Sequence, residues 1–285
     1  MTDVDASHRQ RRIHEVFAAL FVSGSFVTGM TIVLFWALCT VLGRHLVPYD
    51  PLADDILNAL APPSAEHWFG TDQLGRDIFS RVIVGSRDIL TVAPLATILA
   101  TGVGTVLGLL TGYFRGVVDD VVSRFNEAMM AMPSVIVALL AIVALGTSET
   151  TVIIVIGLSF APVIARTVRS TVLAERELDY IAAAKLRHEN SMHIMFVEIL
   201  PNILPPILVE FTVRLGYAIF AVATLSFIGF GLQPPSPDWG LSISTNYSMI
   251  SGGYWWAVVF DALAIASLVI GINLVADGLQ GALND

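Results

Sequence analysis

Long apolar runs alternate with short polar stretches along this chain. Six runs approach or exceed the ~20 residues needed to cross a hydrocarbon layer. They lie at about 18–42, 89–112, 126–147, 150–167, 200–231 and 256–278. Backbone polar groups in lipid must be satisfied within the segment itself, so the pattern predicts helices. The fourth run is short and contains Pro162, and the fifth is interrupted by charge at Glu210 and Arg214. The uncharged stretch from Val16 to Gly43 is too long for the apolar core of a signal peptide and predicts a retained first span. The organisation read from this pattern is an N-terminal segment 1–17, a first transmembrane helix 18–43, a polar segment 44–88, and a core of further spans over 89–279. The second half of the polar segment, Gly75 to Leu90, has the pattern of an amphipathic helix leading into the second span.

Composition sharpens this reading. The 285 residues are 55% hydrophobic and 14% charged, whereas soluble domains carry roughly a quarter charged residues. The expected fold class is an all-α polytopic membrane protein with six transmembrane helices in contact with lipid, and the run lengths disfavour a soluble helical protein with a large core. A net charge of −9 without clustered Lys and Arg argues against a nucleic-acid partner. Six spans place both termini and the 113–125 and 168–199 connections on one side, with Arg9, Arg11, Arg12, Arg115, Arg124, Arg166, Arg169, Arg176, Lys185 and Arg187. The other side holds Arg44, Arg76, Arg81 and Arg87, so the first side is expected to be cytoplasmic. The single cysteine, Cys39, allows no internal disulfide.

The chemistry of common enzymes is absent. The only lysine, Lys185, belongs to no phosphate-binding loop, and the chain contains no H-E-x-x-H or G-x-S-x-G pattern. His188 and His193 are spaced so that a regular helix does not bring them to one face, which argues against a shared metal. No catalytic residue, metal ligand or bound cofactor is expected, and function falls on shape and partners. The polar interruption YIAAAKLRHENSMHIMFVEILPN, Tyr180 to Asn202, combines good helix formers with mixed charge. Asp179 can cap or charge its N-terminus, and Pro201 marks the start of the next helix. Such a segment suits docking into a partner's groove, or it is a solvated connector.

Specific motifs bear on that choice. Ala183–Ala184 followed by Ile199–Asn202 resembles the cytosolic signature of permease subunits of ATP-binding-cassette (ABC) importers. HWFGTDQLGRDIFSR (His67 to Arg81), LSFIGFGLQPPSPDWG (Leu225 to Gly240) and the C-terminal NLVADGLQGALND resemble elements of the dipeptide/oligopeptide/nickel branch of those importers. The resemblance implies a type I importer fold in the bacterial plasma (inner) membrane. It also implies a coupling helix at about 182–194, with Ala182, Ala183, Ala184, Lys185, Arg187 and His188 against an ATPase subunit. The implied partners are a second homologous permease, two ATP-binding subunits holding ATP and magnesium, and an extracytoplasmic substrate-binding protein. Two positions depart from the signature. Ala182 replaces a usual Glu, and His188 replaces a usual Gly that would permit a turn.

Other residues leave two readings open. Gly104, Gly108 and Gly112 share a helix face that lets a neighbour approach closely, or are incidental. Glu210 and Arg214 are a self-neutralised helical pair or line a translocation pathway, and Asp261 contacts a cationic group in that pathway or is a hydrogen-bonded carboxyl. Trp68, Trp239, Trp255 and Trp256 are expected as interfacial anchors. Asp72, Arg76 and Asp77 are expected to form local ion pairs and turn hydrogen bonds. The alternative to an ATP-driven importer is a self-contained secondary transporter, which would need inverted repeats that the sequence does not display.

Overall fold

A computed structural model describes residues 20–284; the N-terminal segment 1–17 and its arginines lie outside them. The architecture is all-α. Its principal helices are α1 (Gly24–Leu46), α2 (Ile78–Phe114), α3 (Gly116–Ala131), α4 (Ser134–Leu145), α5 (Glu149–Glu175), α6 (Asp179–Leu186), α7 (Leu204–Phe227), α8 (Trp239–Asn246) and α9 (Trp256–Asn284). Among the described residues, α1, α2, α5, α7 and α9 are long and apolar enough to cross a membrane, and α3 with α4 supply a sixth crossing if the bent pair is one span.

The third span, expected at about 126–147, is a bent pair that starts earlier. The helix begins at Gly116, breaks after Ala131 and resumes at Ser134, with 94° between the halves. The ring of Pro133 disfavours helical geometry at the residue before it, and Met132 is extended at φ −90° and ψ 139°. The second span is longer than the apolar run suggests. The amphipathic stretch and the 89–112 run form one 37-residue helix, α2, which continues through Pro94. The Asp77 carboxylate starts it by accepting from Ser80 N at 2.8 Å. The fourth span also extends past its apolar run: α5 starts at a Ser148 cap, passes Pro162 and ends at Glu175.

The bundle has two apolar centres. One joins α1, α2, α5, α7, α8 and α9 around Trp36, Ile89, Ile219, Trp239 and Leu268. The other joins the ends of α2 and α5 to the 179–207 region around Leu109, Val168, Ile181, Met195 and Ile203. Trp239 is therefore a core residue, not the interfacial anchor expected of it. It is fully buried, its Nε1 donates to Val82 O at 2.9 Å, and its ring meets Trp36 edge-on at 4.8 Å. The aspartate cap of α8 at Asp238 turns this tryptophan inward. Trp68 and Trp255 are exposed.

Candidate functional site

The polar interruption folds as a short helix bound to the bundle on one side only. Asp179 opens α6 with negative charge in its first turn, while the N-cap Leu178 makes no side-chain cap. Ile181 and Ala184 are fully buried in the second apolar centre. The opposite face presents Ala182, Ala183, Lys185, Leu186 and Arg187 to the outside. Leu186 is 82% exposed, an apolar knob among polar groups.

α6 ends in a Schellman turn. His188 N donates to Lys185 O at 3.0 Å and Glu189 N to Ala184 O at 3.3 Å. His188 has φ +55°, the left-handed conformation that glycine adopts freely. The departure from the importer signature thus falls at the position where the backbone asks for glycine. Asn190 then caps the next turn by accepting from Met192 N at 3.1 Å.

The chain does not stop at Pro201 as the sequence suggests. Segment 191–202 runs on as a helix whose middle, Ile194–Ile199, is π-helical, and the break falls at Ile203 before α7. Glu189, His193 and Glu198 bring one ligand atom each within 4.8 Å of one another. Arg187 supplies the positive charge between the two carboxylates, with Nε 2.7 Å from Glu189 and Nη2 3.5 Å from Glu198. The expected separation of His188 from His193 is met by a different partnership, in which His193 faces Glu189 at 3.6 Å.

Further bonds fix this segment to the bundle. Arg176 donates to Tyr113 O at 2.6 Å and to Gly112 O at 3.3 Å, placing a cation on the C-terminal carbonyls of α2. Lys185 Nζ lies 5.9 Å from the centre of the Tyr113 ring. Tyr180 Oη donates to Glu175 at 2.6 Å and accepts from Asn202 at 3.0 Å. Burial, together with the Glu175 carboxylate, pushes the Tyr180 phenol up to about 12. Beneath the segment, α2 lies directly on α5. A Cβ on Gly104, Gly108 or Gly112 would lie 2.7, 2.6 or 2.7 Å from Ile164, Val168 or Val172. The three glycines form a seam that no larger residue fits.

The other sites suggested by the sequence are dispersed. Arg214 Nε meets Glu210 Oε1 at 2.6 Å within α7, and its guanidinium lies 5.3 Å from the centre of the Tyr217 ring. Asp261 is 2% exposed inside this chain, with no hydrogen-bond partner for Oδ1 among the described residues. It lies at the end of the bundle that carries the 44–77 segment. There Asp72 accepts from Arg76 Nε at 2.8 Å and from two backbone amides, and Asp77 meets His67 at 2.9 Å. At Gly75, φ is +77° and a Cβ would collide with the Asp55 carbonyl.

Sequence reasoning missed the centre of that end. Arg81 is 3% exposed and donates to Pro51 O at 3.0 Å, Ser242 Oγ at 3.1 Å and Ser236 O at 3.3 Å. It ties the 44–77 segment to the 228–238 connection and α8. Asp238 caps α8 by accepting from Leu241 N at 2.8 Å, and burial pushes its carboxyl up to about 6. Only the arginine's place inside a dense motif hinted at such a role. The Gly29, Gly271 and Gly278 contacts between α1 and α9 went unread, although Gly271 and Gly278 stand seven residues apart on one helix face.

Comparisons with known proteins agree on a class. The family model described as binding-protein-dependent transport system inner membrane component matches residues 104–285. The dipeptide transport system permease protein DppC of Alkalihalophilus pseudofirmus is 37% identical over 270 residues, covering 95% of this chain and 88% of that protein. The probable D,D-dipeptide transport system permease protein DdpC of Escherichia coli is 35% identical over 258 residues, with coverages of 90% and 86%. The glutathione transport system permease protein GsiD of Pectobacterium atrosepticum is 35% identical over 266 residues, with coverages of 92% and 85%. A chain of the MetNI methionine ABC transporter, solved in inward-facing conformations, shares the fold. Its TM-score is 0.58 at 19% identity, over 71% of this chain and 96% of that one.

Proposed function

This chain belongs to the family of binding-protein-dependent transport system inner membrane components, and from that membership we propose that it forms half of an ATP-driven import pathway for short peptides. A second, related permease completes the pathway. Two ATP-binding subunits, which hold the ATP and magnesium, dock on the face that carries α6. A substrate-binding protein meets the opposite face, so α6 is cytoplasmic and the 44–77 segment is external.

The observation that carries this reading is the one-sided anchoring of α6. Ile181 and Ala184 are sunk in the bundle while Leu186 stands out from it. A helix so held moves as a body with the ends of α2 and α5. Closure of a partner against Leu186 and the exposed alanines therefore reaches the spans without passing through a flexible joint. ATP binding shifts the packing between two arrangements, and the pathway opens alternately to the two sides. The peptide class follows from the names that the dipeptide and glutathione relatives carry.

The test is reconstitution. The chain is expressed with its second permease, ATPases and binding protein, and peptide uptake into proteoliposomes is measured. Uptake should require ATP and the binding protein, and the ATPases should co-purify with the permease. Peptide uptake by this chain alone, without ATP, would overturn the reading.

A further inference from the structure

A cavity of about 600 Å³ opens between α3, the end of α2 at Thr111 and residues 165–169 of α5. That volume is in the range of small-molecule sites. The cavity sits at the α6 end of the bundle, since Thr111 lies in the same turn as Tyr113, the residue under Arg176 and Lys185. The polar face of α3 turns towards it. Asp119 and Asn126 are 9% and 8% exposed, whereas Val117, Val121 and Phe125 point outward and are 78%, 63% and 63% exposed. The helix thus turns a polar side to an open cavity, with Asp119 and Asn126 buried at its wall and Asp120, Arg124, Glu127 and Arg166 at an exposed rim.

The charges around the cavity balance. Three arginines, Arg124, Arg166 and Arg169, face three acids, Asp119, Asp120 and Glu127. Arg169 holds Asp119 in a two-pronged pair, with both N···O distances at 2.6 Å, while Arg124 and Glu127 form a looser, solvent-exposed pair at 3.7 Å. One group of each sign is left. Asp120 and Arg166, both exposed at the rim of the cavity, have no ion-pair partner among the described residues. Asn126 lines the same space, and its buried Oδ1 has no hydrogen-bond partner among the described residues. A buried polar atom left this way is destabilising unless a ligand or water satisfies it. A phosphate or a metal ion would meet as many repelling groups as attracting ones, whereas a molecule with separated charges of both signs meets neither conflict.

We propose that this cavity binds short peptides with both termini free. Arg166 takes the terminal carboxylate, Asp120 the terminal ammonium, and the Asn126 amide a polar group of the peptide backbone. The proposal rests on the peptide-import reading and adds that the permease itself selects unmodified termini. The Asp119–Arg169 pair fixes the wall of the site.

The experiment uses the assembled transporter in nanodiscs without its binding protein. A mixture of unmodified dipeptides is equilibrated with it, alongside N-acetylated and C-amidated versions, and retention is read by mass spectrometry. Unmodified dipeptides should be retained, and each block should lower retention about tenfold, as loss of one charge-assisted contact implies. Asp120→Asn should abolish only the sensitivity to acetylation, and Arg166→Gln only the sensitivity to amidation. Equal retention of blocked dipeptides would overturn the proposal. So would retention by both variants that discriminates as the wild type does, or no retention by a complex that imports dipeptides. If a variant fails to assemble, the blocked dipeptides on the wild-type complex decide alone. Uptake with binding protein and ATP separates the two claims: absence of any peptide uptake defeats the import reading, while intact uptake with an indifferent cavity defeats only this assignment.

Discussion

His188 holds a left-handed backbone that costs a side chain with a Cβ about 1 kcal/mol or more. His188→Gly should therefore stabilise the turn after α6 by about 1 kcal/mol, seen as a higher unfolding temperature of the purified chain. His188→Val should lower it, since a β-branched residue fits that region worst. Asp238 offers a pH test. Its folded carboxyl titrates at about 6, against 3.8 ordinarily, so the folded state binds the proton more tightly. Its contribution is most favourable below pH 4, declines as pH rises through 4 to 6, and leaves a cost of order 3 kcal/mol above that range. Asp238→Asn retains a good cap and should flatten this slope, gaining stability over the wild type at pH 7 relative to pH 4. Denaturation midpoints at the two pH values measure it. The positive φ at His188 was half legible, because glycine was expected there. The place of Trp239 was not, because amphipathic rings near span ends usually anchor at interfaces and only the α8 cap turns this one inward.

At the scale of elements, the glycine seam and α6 make distinct demands. The close approach of Gly108 to Val168 and the Ala165 carbonyl leaves no room for a side chain. Gly108→Leu should separate α2 from α5 and abolish accumulation of the assembled permease, as read by membrane extraction and size-exclusion chromatography. Leu186 supports nothing within the chain, so Leu186→Asp should leave the fold intact. Burial of a leucine against a partner contributes about 1.5–3 kcal/mol, so its loss should weaken co-purification with the ATPases about tenfold or more. The seam was readable from its four-residue spacing, which a helix turns into a face. The 94° bend between α3 and α4 was hidden because their summed hydropathy resembles one span, although Pro133 was in plain view. The π-helical middle of 191–202 left no mark in composition.

At the scale of the whole molecule, sidedness is open to direct test. Cys39 is 4% exposed and is the only cysteine, so introduced cysteines report with little background. Arg187→Cys should react with a membrane-impermeant thiol reagent only from the cytoplasmic side, and Leu57→Cys only from outside. Labelling of both from one side would reject the orientation. The helical class, five of the apolar crossings and the family were legible along the chain, because run length and the quoted motifs are local properties that each segment carries with it. Tertiary structure alone decided which charges are spent. Asp119 with Arg169, and Arg81 among Pro51, Ser236 and Ser242, lie far apart in sequence. Asp120 and Arg166 are left over only because those neighbours found each other. Pairing of that kind depends on how helices pack in space, and helix packing is set by the sum of many contacts that no single stretch contains.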